Sequence, residues 1–120
     1  MADRLLCISW GRPVPGREER GLEVFNEALG FYGRCQQEGR LESFDVVLLA
    51  PNAGMNGYME VHGTPDQLNA LREDDEYRRI LADATMVCED MCVVEGATGA
   101  GIAREVEMYQ GAIARVPQTA

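Results

Sequence analysis

The chain has one histidine, His62, so any imidazole base, haem ligand or metal ligand must be that residue. It sits in the stretch 55–63 (MNGYMEVHG), where Met55, Gly57, Met59 and Val61 alternate with Asn56, Tyr58, Glu60 and His62. Period two is the signature of a β-strand, and side chains two apart on one face stand about 6.5–7 Å from each other. Tyr58, Glu60 and His62 would then line one wall as phenol, acid and base. That set suits proton abstraction from, or oxygenation of, an activated aromatic substrate. The plainer reading has the same three residues lining a polar barrel interior or a sheet edge, satisfied by water and by Arg4 or Arg12.

An apolar ligand would need a different set of residues. Trp10 ends an apolar stretch beside the Gly/Pro-rich segment 11–16, where a large aromatic serves as pocket wall or as core. Phe31, Phe44, Met55 and Met59 would complete such a pocket between sheet and helices, or pack as ordinary core. Cys7, Cys35, Cys88 and Cys92 form no CxxC pair, and Cys88 and Cys92 lack a second pair of ligands to close a zinc site. They read as small buried hydrophobes in a reducing compartment. The acidic run 73–76 spreads around a helix and marks its solvated start. The run 96–101 (GATGAG) has neither GxGxxG spacing nor a phosphate-binding lysine, and reads as a hinge. All eleven basic residues are arginine, which excludes Schiff-base and P-loop lysine chemistry. These residues call for no metal and no cofactor.

The elements that must position these groups follow from composition and pattern. A chain of 120 residues, 46% apolar and 26% charged, fits one domain over 1–120 with a single core. A net charge of −9 argues against a nucleic-acid partner or an anionic membrane surface. No run approaches the ~18 apolar residues of a membrane span, and the first residues lack the basic start of a signal peptide. A cytoplasmic protein is expected.

Residues 4–10 read as a strand. A long helix follows, with Leu22, Phe25, Leu29 and Tyr32 as its apolar stripe and Gly39 as its stop. Strands over 41–50 and 55–63 make a hairpin across the turn cluster 51–54. Thr64-Pro65-Asp66-Gln67 carries a helix cap, a first-turn proline and a capping-box partner. A helix restarts at 73–76 with Tyr77, Ile80, Leu81, Ala84 and Val87 inward, and 91–96 reads as a last strand. A C-terminal helix over about 100–116 carries Ile102, Val106, Tyr109, Ile113 and Val116 in a seam that predicts a clasp, folded back on its own body or crossing to another subunit.

The order β-α-β-β-α-β predicts an α+β, ferredoxin-like fold: a four-stranded antiparallel sheet with helices on one face. Val46-Val47-Leu48-Leu49 and Cys92-Val93-Val94 put apolar side chains on both faces, so the uncovered face needs a second sheet, and a homodimer supplies one. This order over 4–96 resembles the dimeric α+β barrel superfamily. The runs WGRPVPGREE, ESFDVVLLAP and HGTPDQLNALR resemble a group of small bacterial proteins of unknown function within it. The resemblance implies a dimer whose relatives include cofactor-independent monooxygenases, haem-degrading enzymes, chlorite-dismutase-like proteins, muconolactone isomerase-like enzymes and plain ligand binders. Two functional classes follow. One is a small-molecule binder or cofactor-free monooxygenase-like or isomerase-like enzyme acting on an apolar or aromatic compound. The other is a non-catalytic homodimeric structural or regulatory module.

Overall fold

The computed structural model describes residues 2–119. Its elements run β1 (Arg4–Trp10), α1 (Glu18–Gln37), β2 (Ser43–Leu48), β3 (Gly57–Gly63), α2 (Pro65–Glu73), α3 (Asp75–Val87), β4 (Cys92–Ala97) and α4 (Ala100–Ala114). All strand pairs are antiparallel, in the order β2-β3-β1-β4. This is the ferredoxin-like βαββαβ arrangement, with its second helix broken in two and α4 appended.

Two caps set the break. Thr64 Oγ1 accepts from the Gln67 N–H while Gln67 Oε1 accepts from the Thr64 N–H, so the capping box forms as its residues predict. Asp74 then ends α2 with extended backbone and starts α3, its carboxylate accepting from the Tyr77 N–H at 3.0 Å. The hairpin strands are shorter than their apolar runs suggest. Asn52 takes over the turn, donating to the carbonyls of Ala50 and Met55 and accepting from the Gly54 N–H, so Met55 falls in the loop rather than in β3.

Register assigns every strand residue to a face. Leu6, Ile8 and Trp10 stand opposite Val61, Met59 and Gly57, which in turn pair with Phe44, Val46 and Leu48. These side chains face α1, α2 and α3, and Leu6 and Val61 are fully buried there. Such burial stabilises the fold by about 1.5–3 kcal/mol per large side chain before ordering costs. The opposite face carries Leu5, Cys7 and Ser9 beside His62, Glu60 and Tyr58, with Ser43, Asp45 and Val47 on one flank and Gly96, Val94 and Cys92 on the other.

The helix α1 is rotated from its expected stripe. Val24, Ala28, Phe31, Tyr32 and Cys35 are buried, whereas Leu22 is 62% exposed and Phe25 and Leu29 sit at the edge of the core. The inward face thus pairs small residues, Val24, Ala28 and Cys35, with the two large rings of Phe31 and Tyr32, which fill the space above the sheet. The C-terminal helix spans Ala100–Ala114 and does not fold back over its own body: Ile102, Val106, Tyr109, Ile113 and Val116 are all exposed in the protomer.

Candidate functional site

A cavity of about 290 Å³ lies between the helix-facing side of the sheet and the pair α1–α3. Its sheet wall is Ile8, Trp10 and Met59; α1 adds Val24, Phe25, Ala28 and Tyr32; α3 adds Ile80, Ala84 and Val87. Leu22 and Leu48, both largely exposed, stand at its mouth. Trp10 is held edge-on to Phe25, with ring centroids 6.0 Å apart and planes at 65°. That T-shaped contact fixes the indole as a rigid wall.

The strap that holds the mouth is the Gly/Pro segment after β1. The Gly11 and Val14 N–H groups donate to the carbonyls of Glu89 and Val87 at 2.8 Å, and the Glu89 N–H returns to the Arg12 carbonyl. Three backbone bonds thus stitch the end of β1 to the α3–β4 junction. On the other side, the Asn56 N–H donates to the Trp10 carbonyl, bringing Asn56 to the rim.

Polar groups inside are few. Tyr32 is 4% exposed, lines the cavity, and has no hydrogen-bond partner for its hydroxyl among the described residues. Burial, with Tyr77 and Cys35 nearby, pushes its ionisation far above the ordinary phenol range. A phenol raised in this way offers a proton to a hydrogen-bond acceptor rather than serving as a phenolate base. Cys88 also lines the cavity, and burial pushes its thiol up as well. Glu18 and Asn56 supply polarity near the opening.

The other anticipated pocket residues lie elsewhere. Phe31 is 1% exposed in the core under Arg34 and Arg40, whose guanidinium carbons sit 5.9 and 5.8 Å from its ring centroid. Phe44 packs on the Tyr32 ring at 5.9 Å, buttressing the cavity from behind. Met55 is 44% exposed in the β2–β3 loop.

Tyr58, Glu60 and His62 share a sheet face, but it is the face away from the cavity. His62 Nε2 is 3.3 Å from Glu60 Oε1 and 3.7 Å from Asp45 Oδ2, and Ser43 is its cross-strand neighbour. Arg4 pairs instead with Glu105 at 2.9 Å, and among the described residues neither Arg4 nor Arg12 forms an ion pair with this row. Cys7 lies beside Glu60, and burial, Glu60 and Cys92 all push its thiol up, so it is no ready nucleophile. Among the described residues, no three His, Cys, Asp or Glu side chains converge to hold a metal ion. No helix among them is long and apolar enough to cross a membrane.

Sequence reasoning placed Tyr32 and Phe25 in a core stripe and did not single out Tyr32 as a pocket donor. The available signal was a phenol within an otherwise aliphatic helix face, since a buried Tyr hydroxyl normally finds a partner.

No family model matches the chain, and no curated protein matches it in sequence. Solved structures do match its fold. A dimeric ferredoxin-like protein of unknown function from Jannaschia is 14% identical, with a TM-score of 0.60 over 78% of this chain and 97% of that one. A dimeric ferredoxin-like protein of unknown function from Bacteroides fragilis is 13% identical, with a TM-score of 0.58 over 78% and 95%. A Chloroflexus aurantiacus protein that bears the provisional name antibiotic biosynthesis monooxygenase is 14% identical, with a TM-score of 0.55 over 82% and 95%. At these identities the likeness establishes a shared fold.

Proposed function

We propose that this chain is a homodimeric binder of a small, flat, largely apolar molecule carrying one hydrogen-bond acceptor, held between sheet and helices. The observation that carries the reading is the Tyr32 hydroxyl, which makes no hydrogen bond among the described residues, in a cavity lined mostly by aliphatic and aromatic side chains. A ligand oxygen placed against this donor adds a hydrogen bond worth about 1 kcal/mol net. The size supports a compact ligand: a cavity of about 150 Å³ accepts one benzene ring, so about 290 Å³ takes roughly two rings. The acceptor is a carbonyl or ether oxygen rather than an ammonium, because Tyr32 keeps its proton.

Matched ligands test this directly. The reading predicts that 2-acetylnaphthalene raises the melting temperature and binds more tightly than 2-ethylnaphthalene, and that Tyr32→Phe removes the difference. If neither compound binds, the cavity is core slack and the chain is a non-catalytic homodimeric module.

A second reading concerns chemistry on the other face. The 3.3 Å approach of His62 to Glu60, with Asp45 at 3.7 Å, sets an imidazole among carboxylates on the sheet surface that faces the partner in the proposed dimer. With Tyr58 alongside, this row would supply the acid–base groups of a monooxygenase-like or isomerase-like reaction in a chamber between two sheets. The fold shared with the Chloroflexus protein supports this reading. A substrate in the sheet–helix cavity would not touch the row, because the sheet lies between them.

A further inference from the structure

α4 is joined to the body at its first turn and nowhere far beyond it. The Thr98 N–H donates to the Asp3 carbonyl at 3.0 Å. Gly101 is buried so tightly that a Cβ there would stand 2.5 Å from the same carbonyl oxygen. Arg4 reaches Glu105 at 2.9 Å. After that the helix leaves the body. Its seam, Ile102, Val106, Tyr109, Ile113 and Val116, is 41–68% exposed, and Met108 beside it is 62% exposed.

The protomer's dimensions carry the same message. Its radius of gyration is 16.9 Å, where a compact chain of this length has about 13.6 Å. Its accessible surface is 7753 Å², whereas a compact monomer of 13.2 kDa exposes about 6,400 Å². The excess, about 1,300 Å², exceeds the ~800 Å² that each partner hides in a standard interface and lies in the range of permanent homodimers. A lone helix of 15 residues is marginal in water, so this one needs a surface to lie on. Charge permits a second copy to supply it. The chain carries −9, yet in α4 and its cap Arg104 and Arg115 balance Glu105 and Glu107, so bringing this helix to another copy adds no net repulsion.

We infer that α4 is an intersubunit arm: its seam from Ile102 to Val116 is covered by a second copy of this chain. The inference rests on the homodimer reading above and adds a specific surface to it, separate from the sheet face. The helix end at Asp3 and Gly101 acts as a rigid shoulder that aims the arm outward.

The test uses the full chain and a variant with Ile102→Gln, Val106→Gln, Tyr109→Gln and Ile113→Gln, since glutamine keeps helix propensity. Mass by light scattering across a dilution series is read together with amide exchange over 102–113. The inference expects a wild-type dimer with protected α4 amides, and a variant whose dimer dissociation constant rises by about 100-fold or more, the loss of several large apolar contacts. The near-ultraviolet signal of Trp10 should be unchanged in the variant, which shows the body intact. A wild-type dimer with unprotected α4, or a variant that dimerises as the wild type does, overturns the arm and leaves the dimer standing. A monomeric wild type at micromolar concentration overturns both, including the case where α4 gains protection only on phosphatidylcholine vesicles.

Discussion

Gly57 and Trp10 face each other across the β1–β3 ladder so closely that residue 57 has no room for a side chain. A Cβ there would stand 2.7 Å from Trp10 Cζ2 and 2.8 Å from the Val47 carbonyl oxygen. The absent side chain lets the indole lie flat on the sheet and meet Phe25 edge-on. Gly57→Ala must therefore move the indole or the backbone. We expect it to cost about 1–3 kcal/mol of stability, as overpacking does, and to shift the Trp10 fluorescence. An unchanged melting temperature and spectrum would show that the contact is slack.

Asp74 joins three parts of the fold. It caps α3 through the Tyr77 N–H and pairs with Arg40 Nη2 at 2.5 Å, tying the α1–β2 connection to the α2–α3 break. The Tyr77 N–H and Arg40 hold its carboxyl below the usual range. A carboxyl depressed in the folded state adds stability above its unfolded value of about 3.9 and loses it as pH falls through the folded one. Asp74→Ala should cost about 0.5–2 kcal/mol near neutrality, the worth of a cap. The difference from wild type should shrink below pH 4. Asp74→Asn should restore part of it, because the amide oxygen still caps. Denaturant unfolding of the three proteins at pH 7 and pH 3 reads this directly.

Much of this was legible in the residues. Thr64, Pro65 and Gln67 spell out the start of α2 by local chemistry alone, and the alternation across 55–63 assigned the faces of β3 correctly. That same alternation sets Met59 and His62 on opposite sides of the sheet, so a pocket lined by one cannot be worked by the other. The rotation of α1 was not legible. Leu22 and Val24 are both apolar, and only tertiary packing against the sheet and α3 decides that Val24 goes inward. The seam of α4 was visible, but its direction depends on the Asp3–Gly101 contact, 98 residues apart in sequence, which no local pattern encodes.

The buried phenols predict alkaline sensitivity. Burial raises Tyr32 strongly and Tyr77 as well, so both stay protonated in the folded protein where the unfolded chain ionises. A group raised on folding contributes fully below its unfolded value, about 10 for tyrosine, and its contribution is lost as pH climbs toward the folded one. Stability should therefore fall steeply above pH 10. Tyr32→Phe should flatten that fall while costing little at pH 7, because no hydrogen bond among the described residues is lost. Melting curves from pH 8 to 11 check both points; equal slopes for wild type and variant would mean that the hydroxyl is hydrated.

The last prediction separates the two faces of the sheet. His62 lies with Glu60 and Asp45 on the face that the cavity does not reach, whereas Tyr32 lines the cavity itself. Affinity for 2-acetylnaphthalene should thus respond to one and ignore the other. Tyr32→Phe should weaken it about fivefold, the worth of one hydrogen bond near 1 kcal/mol. His62→Ala should leave it unchanged within about twofold, because no pocket atom loses a partner. Calorimetric titration of the wild type and both variants with the ligand gives the two readouts. A loss of ligand affinity in His62→Ala without loss of folding would overturn the assignment of this ligand to the sheet–helix cavity.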